Sequence, residues 1–314
     1  MKNRKKVLIL LLLVFALTGC TTYLKDDKGK VIKYNETGQT ITKNILCKPK
    51  DKNINNIYEE YNKKAKKEDK VNYEKLPSCE NLSIASNYEG LWTSIFVKPL
   101  AVLIVKIGEL VKSYGLALIL ATLLIRAIAW PFTKKAALQS EYMKKAQPEL
   151  TKLEKKYKNK TSQEQMMQKS QEMLLIYKKY NINPMTGCLF SFIQIPLFFA
   201  FYESIGRLPV VFEERFIGFD LGTSPLTALL NGQFHYLILI ILIVLATYYS
   251  FKLNSGAAMS EEQERQMKMM KNFMIVFMSF AAFSISAGIA LYWITSNVVT
   301  IVQNLLVKRG KNND

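Results

Sequence analysis

The chain is poor in the residues that acid–base and metal chemistry use, with one histidine and four cysteines in 314 residues. It has no glycine-rich phosphate loop ending in Lys-Ser/Thr, no CxxC, no HExxH and no GxSxG. Nucleotide hydrolysis, dithiol exchange, zinc peptidase and serine hydrolase chemistry therefore have no sequence support, and no cofactor or metal is implied. The histidine, His235, stands at the edge of an apolar run, where it caps or is solvated rather than catalysing. Acidic residues are also scarce, with 25 Asp and Glu against 43 Lys and Arg, a net charge of +18. That excess is spread over segments between apolar runs and forms no single basic face. Such a distribution fits topology signals and anionic lipid, and argues against nucleic acid as a ligand.

What the chain has is apolar sequence in long blocks: 49% of residues are hydrophobic and the mean hydropathy is +0.04. This composition predicts an all-α polytopic membrane protein. The central block is Gly115–Phe132, 18 residues, long enough at about 1.5 Å per residue to cross the hydrocarbon core. It carries Arg126. Thr122, Arg126, Ala129 and Thr133 fall on one helical stripe, and Leu120, Leu123, Leu124 and Ile128 on the other side. An arginine at that depth either snorkels to the nearer interface or faces protein and water. The segment alone leaves both readings open.

Further spans are expected at 185–205, 234–251, 273–285 and 287–307, five in all. The last two divide a 36-residue stretch, Asn272 to Val307, that holds no charge. The turn falls at Ser284–Gly288, which leaves a short fourth span and implies a locally thinned bilayer. Residues 134–182 hold twelve lysines against five glutamates, a net of +7, and residues 207–233 have a net of −1. The first reads as a cytoplasmic antiparallel helical hairpin, with Pro148 kinking one arm and a Thr161/Glu164 capping box opening the other. Residues 91–112 read as an amphipathic helix in the outer interface, bent at Pro99.

Charged residues from Lys2 to Lys6, an apolar run Val7–Leu17, and then Leu17-Thr18-Gly19-Cys20 form a secretory signal. The last four resemble a bacterial lipobox, which implies signal removal after residue 19 and a diacylglyceryl group on the Cys20 thiol. Residues 20–89 follow as an outer, lysine-rich segment with no recognisable core. Its Cys47 and Cys79 can pair outside the cell or stay free, and Cys188 reads as an apolar filler. An outer N-terminus and five spans place the C-terminal tail, residues 309–314, inside. The +7 loop is then inside and the −1 loop outside, as the positive-inside rule expects. The chain is thus expected in the cell membrane, multi-pass and lipid-anchored.

Three stretches, LLIRAIAWPFTKKAALQSEYMKKAQPEL, YKKYNINPMTGCLFSFIQIPLFFAFYESI and LYWITSNVVTIVQNLL, resemble the YidC/Oxa/Alb family of membrane-protein insertases. The lipoprotein signal and five spans match its Gram-positive form, and the likeness covers residues 90–308. It implies a polar groove inside the bilayer, open to cytoplasm and lipid, with Arg126 as its arginine. Gln194 and Pro196 match the family's second span, and Trp293 and Gln303 its last. The third span, where the family often has glutamine, offers Thr247, Ser250 and Phe251. Ser191, Thr295 and Asn297 add polar groups around Arg126. The implied partners are nascent membrane proteins and anionic lipids, with the general secretion channel and the ribosome as further candidates. The short tail does not favour tight ribosome docking. The rival reading of the same residues is a small-anion or lipid transporter built on Arg126. The lack of an internal repeat disfavours it.

Overall fold

The computed structural model describes residues 21–85, 89–159, 162–183, 185–254 and 261–310, with the side chains of 185–193 among those left out. Cys20, Thr161, and the side chains of Cys188 and Ser191 lie outside what is described. The chain divides into two compact units, one of residues up to Thr122 with 196–240 and 282–293, the other of 123–195, 241–281 and 294 onward.

The first unit begins with a segment whose expected lack of a core is wrong. Leu24, Tyr34, Ile41, Ile45, Ile54 and Tyr58 form a buried cluster, with Phe212 packed against it. Isolated antiparallel bridges pair Tyr23 with Thr42, Lys25 with Val31 and Lys33 with Thr40. Helix α1 (Lys52–Lys64) opens where the Asp51 carboxylate accepts from the Asn53 and Ile54 amides. Its Ile54 and Tyr58, one turn apart, face the cluster. Cys47 and Cys79 are joined in a disulfide across 32 residues of chain. No run of apolar sequence announces this core because its members come singly between polar residues, and Phe212 arrives from a distant loop.

A π-helical turn (Thr93–Val97) runs without a break into α2 (Lys98–Val111), so Pro99 lies inside a helical stretch that begins at Leu91, just past the π-turn. Helix α2 buries Leu100, Ala101, Ile104 and Val105 and leaves Leu110 exposed, as the π-turn does Ile95 and Phe96. Lys98, which belongs to the polar face by spacing, is buried, and desolvation holds its ammonium below the ordinary range. Lys112 turns left-handed and ends α2. The next helix, α3 (Tyr114–Tyr157), is one continuous rod of 44 residues. Its first amides, from Tyr114 and Gly115, donate to the Glu214 carboxylate, which also accepts from the Ser113 hydroxyl. A carboxylate there satisfies orphan donors and complements the helix dipole.

The remaining elements are α4 (Gln163–Lys179), α5 (Met185–Gly206), the short α6 (Pro209–Phe212) and a two-residue antiparallel pair, β1 (Arg215–Phe216) with β2 (Phe219–Asp220). After them come α7 (Pro225–Leu230), α8 (Leu237–Asn254), α9 (Glu261–Ser284) and α10 (Ala287–Gly310). Among the described residues, three helical stretches are long and apolar enough to cross a membrane, within α3, at Phe234–Leu253 and at Ala287–Arg309, and Lys271–Ser284 of α9 is a shorter apolar one. The chain is thus a mostly helical, multi-pass membrane protein.

In the second unit, the far half of α3 and α4 pack as a hairpin on Ala146, Leu150, Tyr177 and Ile182. Lys156 pairs with Glu172 at 2.6 Å and the Tyr180 hydroxyl donates to Glu149 at 2.8 Å. The helix cap is Ser162, which accepts from the Gln165 amide, one residue later than the expected capping box. Pro148 lies inside the continuous α3.

Candidate functional site

Arg126 is 4% exposed, so the arginine is surrounded by protein and does not snorkel. Its Nε donates to the Ser296 hydroxyl at 3.1 Å, and its Nη2 reaches the same oxygen. Ser296 lies on α10, 170 residues away in sequence. One hydroxyl accepting from two guanidinium nitrogens fixes the plane of the fork, which a single contact would leave free to rotate.

Buried polar residues of the second unit sit on the same two helices and on a third. Helix α10 carries Ser296 and Thr300 one turn apart, both buried, with the Thr300 hydroxyl returned to the Ser296 carbonyl at 3.0 Å. The Asn304 amide continues the series to the Thr300 carbonyl at 2.7 Å. Helix α8 buries Thr247 and Ser250, and α3 buries Thr133. Hydroxyls that bond their own helix backbone cross an apolar layer without orphaned donors, yet keep lone pairs for another partner. A charged or polar segment meeting such a stripe exchanges water for protein hydrogen bonds. That exchange is far cheaper than entry into lipid.

The expected site residues are distributed as follows. Ser250 is buried, and Gln194, Asn297 and Gln303 are half-buried in the second unit. Thr122 and Trp293 belong to the first unit. There the Thr122 hydroxyl bonds the Leu118 carbonyl at 2.6 Å, and Trp293 stands edge-on to Phe198 at 5.2 Å. The side chain of Ser191 is not described. Sequence reasoning chose Thr295 and Asn297 on α10 and passed over Ser296, which bonds Arg126. Helical spacing held the signal, since Ser296, Thr300 and Asn304 recur every fourth residue.

The first unit holds a second polar cluster that the sequence did not announce. Trp92 donates to Glu203 at 3.0 Å. The buried Arg207 donates to the Asn44 carbonyl at 2.7 Å, pairs with Glu89, and lies 3.9 Å from Glu203. Among the described residues no group of His, Cys, Asp and Glu is placed to hold a metal ion. His235 is exposed, with Nε2 3.1 Å from the Gly218 carbonyl.

Comparison with known proteins places this arrangement in a family. The sequence profile described as "60Kd inner membrane protein" matches residues 106–314. A protein of Oceanobacillus iheyensis named "Membrane protein insertase YidC" is 33% identical over 238 residues, covering 74% of this chain and 91% of the relative. The "Membrane protein insertase MisCA" of Bacillus subtilis is 33% identical over 236 residues, 74% of this chain and 86% of that protein. A solved YidC insertase, an active form with its first transmembrane domain resolved, is 24% identical with a TM-score of 0.49, over 68% of this chain and 46% of that one. With two thirds of its length under the profile, and relatives above 30% identity matched over most of theirs, this chain belongs to the 60Kd inner membrane protein family, the family of the YidC membrane protein insertases.

Proposed function

We propose that this chain inserts nascent membrane proteins by drawing a polar segment of the substrate onto the hydrogen-bonding stripe around Arg126. The observation that carries this reading is the burial of Arg126 beside Ser296 on a neighbouring membrane helix. A fixed cation in a low-dielectric site attracts an acidic or water-carrying segment more strongly than the same charge in water. The apolar part of α9, 14 residues from Lys271 to Ser284, spans about 21 Å of helix against a hydrocarbon core of about 30 Å. That mismatch thins the bilayer and shortens the distance the substrate's polar end must travel. Release of its apolar part into lipid, at about 25 cal/mol per Å² removed from water, then drives the step without nucleotide.

The same reading makes the mature chain a lipoprotein anchored through Cys20, with its N-terminus and residues 207–233 outside. The hairpin and C-terminus are inside, and α2 lies in the outer interface as an amphipathic helix. Nascent membrane proteins are the substrate. Anionic lipid is the charge partner of the hairpin's lysines, and the secretion channel is an optional collaborator.

The test is rescue of insertase-depleted cells with Arg126→Ala and Arg126→Lys, scoring insertion of a single-span substrate with an acidic outer tail. Loss with alanine and retention with lysine is the expected result. Full insertion by the alanine variant at normal protein level refutes the role of the charge. Lipid or anion flux through reconstituted vesicles without insertion would instead establish a transporter.

A further inference from the structure

The β1–β2 ribbon of the first unit is tied to the first turns of two membrane helices. The Glu214 carboxylate, directly before β1, accepts from the Tyr114 and Gly115 amides that open α3. The Phe216 ring lies against Gly115, where a methyl group would collide with it. On the returning side, the Gly218 carbonyl is 3.1 Å from Nε2 of His235, and the Asp220 amide donates to the Tyr236 hydroxyl at 2.7 Å. Gly115 begins the apolar run of α3, and His235 and Tyr236 belong to the first turn of the apolar stretch Phe234–Leu253. The ribbon is therefore level with the place where both helices become apolar.

The register Arg215↔Asp220 and Phe216↔Phe219 leaves Ile217 and Gly218 as a two-residue turn. Both have positive φ, 49° and 85°, the twist that such turns require and that Asn-Gly commonly supplies. Ile217 is β-branched, so its left-handed backbone is strained. Its side chain does not pack either, being 78% exposed. In water the position would combine strain with bare apolar surface and gain nothing from the protein. Strain of this kind persists where the surroundings hold it in place or a function uses it. Phe234, Ile238 and Ile241, at helical spacing along the second of the two helices, are exposed as well. Arg215, two residues behind the tip, has a largely exposed side chain, with the Asp220 carboxylate 4.0 Å away.

We propose that the tip of this ribbon is a lipid wedge, with Ile217 among the acyl chains of the leaflet at this end of the two helices and Arg215 facing the phospholipid phosphates. Three observations converge on it. The residues on either side of Ile217 each touch the first turn of a membrane helix, so the tip is at membrane depth. Its apolar side chain extends the exposed row Phe234, Ile238 and Ile241, a helix face that lipid covers. Its cation stands behind the apolar tip, the order of polarity found across a membrane interface. The continuity with a lipid-covered face favours bilayer over a protein partner. Burial in acyl chains removes the apolar surface from water and so offsets the strain of the turn. The ribbon thereby fixes the level of both helix ends in the leaflet, as a short element lying in the interface does for a peripheral protein.

The test places a diazirine-bearing amino acid at position 217 of the full chain, reconstituted in vesicles of phosphatidylethanolamine and phosphatidylglycerol. The same group at position 241, on the exposed face of the helix, and at position 28, in an exposed turn of the N-terminal segment, gives the lipid and water references. After irradiation, mass spectrometry assigns each adduct to acyl chain, headgroup, water or protein. Acyl-chain adducts at 217 should match those at 241 and exceed those at 28 by about tenfold or more, the preference expected for immersing an isoleucine side chain. Water adducts at 217 as frequent as those at 28 overturn the proposal. Adducts confined to headgroups overturn it too, since the ribbon then lies on the surface, and so do adducts to a second copy of the chain, which would make the tip a protein interface. None of these outcomes bears on insertion, which the Arg126 variants measure separately.

Discussion

Removing the Cys47–Cys79 disulfide, by Cys47→Ser with Cys79→Ser, should free the N-terminal segment while leaving the membrane helices in place. The bond closes a loop of 32 residues. Chain-entropy reasoning for a loop that size gives about 3.7 kcal/mol of stabilisation. The segment it ties, residues 21–85, has an expected total stability of about 3–10 kcal/mol at the usual 0.05–0.15 kcal/mol per residue. The loss therefore consumes a large share of the segment's stability. Its attachments to the outer loop remain: Thr42 to the Gly206 carbonyl at 2.7 Å, and the Lys50 and Asp51 amides to Glu213 at 3.1 and 3.2 Å. They do not replace the closure, because they form only in the folded segment and leave the unfolded chain unconstrained. At about 1.4 kcal/mol per tenfold, the opened population rises roughly 400-fold. Native-state proteolysis of the purified chain in detergent reads that population when reclosing outpaces cleavage. Cleavage between residues 21 and 85 should accelerate by two to three orders of magnitude, and reduction of the wild-type chain should do the same. A change below about tenfold would refute the reasoning and mean that the core around Tyr58 and the loop contacts suffice.

The remaining predictions concern single groups. Ser296→Ala removes the hydroxyl that holds the Arg126 fork, and the loss of a hydrogen bond to a charged group should cost about 1.5–3 kcal/mol. It should show as slower insertion of the acidic-tailed substrate at unchanged protein level, with Ser296→Thr restoring the rate. Leu150→Ala, at a fully buried position of the hairpin core, should destabilise the hairpin by about 2–5 kcal/mol, measurable as faster hydrogen exchange in α4. Burial holds the Glu213 carboxyl above its ordinary 4.5, against the opposing pull of the Lys50 and Asp51 amides. The folded chain then keeps a proton that the unfolded chain has released. Stability of the outer segment should therefore fall as pH rises from about 4.5 through the folded pKa and level off above it. Glu213→Gln should flatten that slope in a pH series of melting temperatures.

The membrane part was legible because its signals are local. A run such as Leu237–Leu245 or Ile289–Leu305 declares itself by composition, and the α9–α10 turn by its small residues. The length of α3 was not, because a span and a hairpin arm differ so much in polarity that they read as separate objects. Helical propensity is indifferent to that change, and the rod continues through it. The outer core was illegible for the opposite reason. Leu24, Ile41 and Tyr58 carry no pattern until the chain folds back on itself, and Phe212 joins them from more than 150 residues away. At the site, Arg126 stood out as a charge in an apolar run, whereas Ser296 looked like any other small polar residue of a membrane helix. Only geometry shows that this serine meets the guanidinium.

The unbroken α3 also has a mechanical meaning. Its 44 residues extend about 66 Å, more than twice the hydrocarbon thickness, so the hairpin is the far end of a lever whose near end bears Arg126. Two prolines interrupt its hydrogen-bond ladder, Pro131 and Pro148, and each denies an amide to the carbonyl four residues earlier, at Ala127 and Lys144. Compliance is concentrated at those two points. The first lies just one turn beyond Arg126, between the charge and the hairpin. A load on the hairpin would be taken up there first, so the arm can bend while the guanidinium keeps its contact with Ser296.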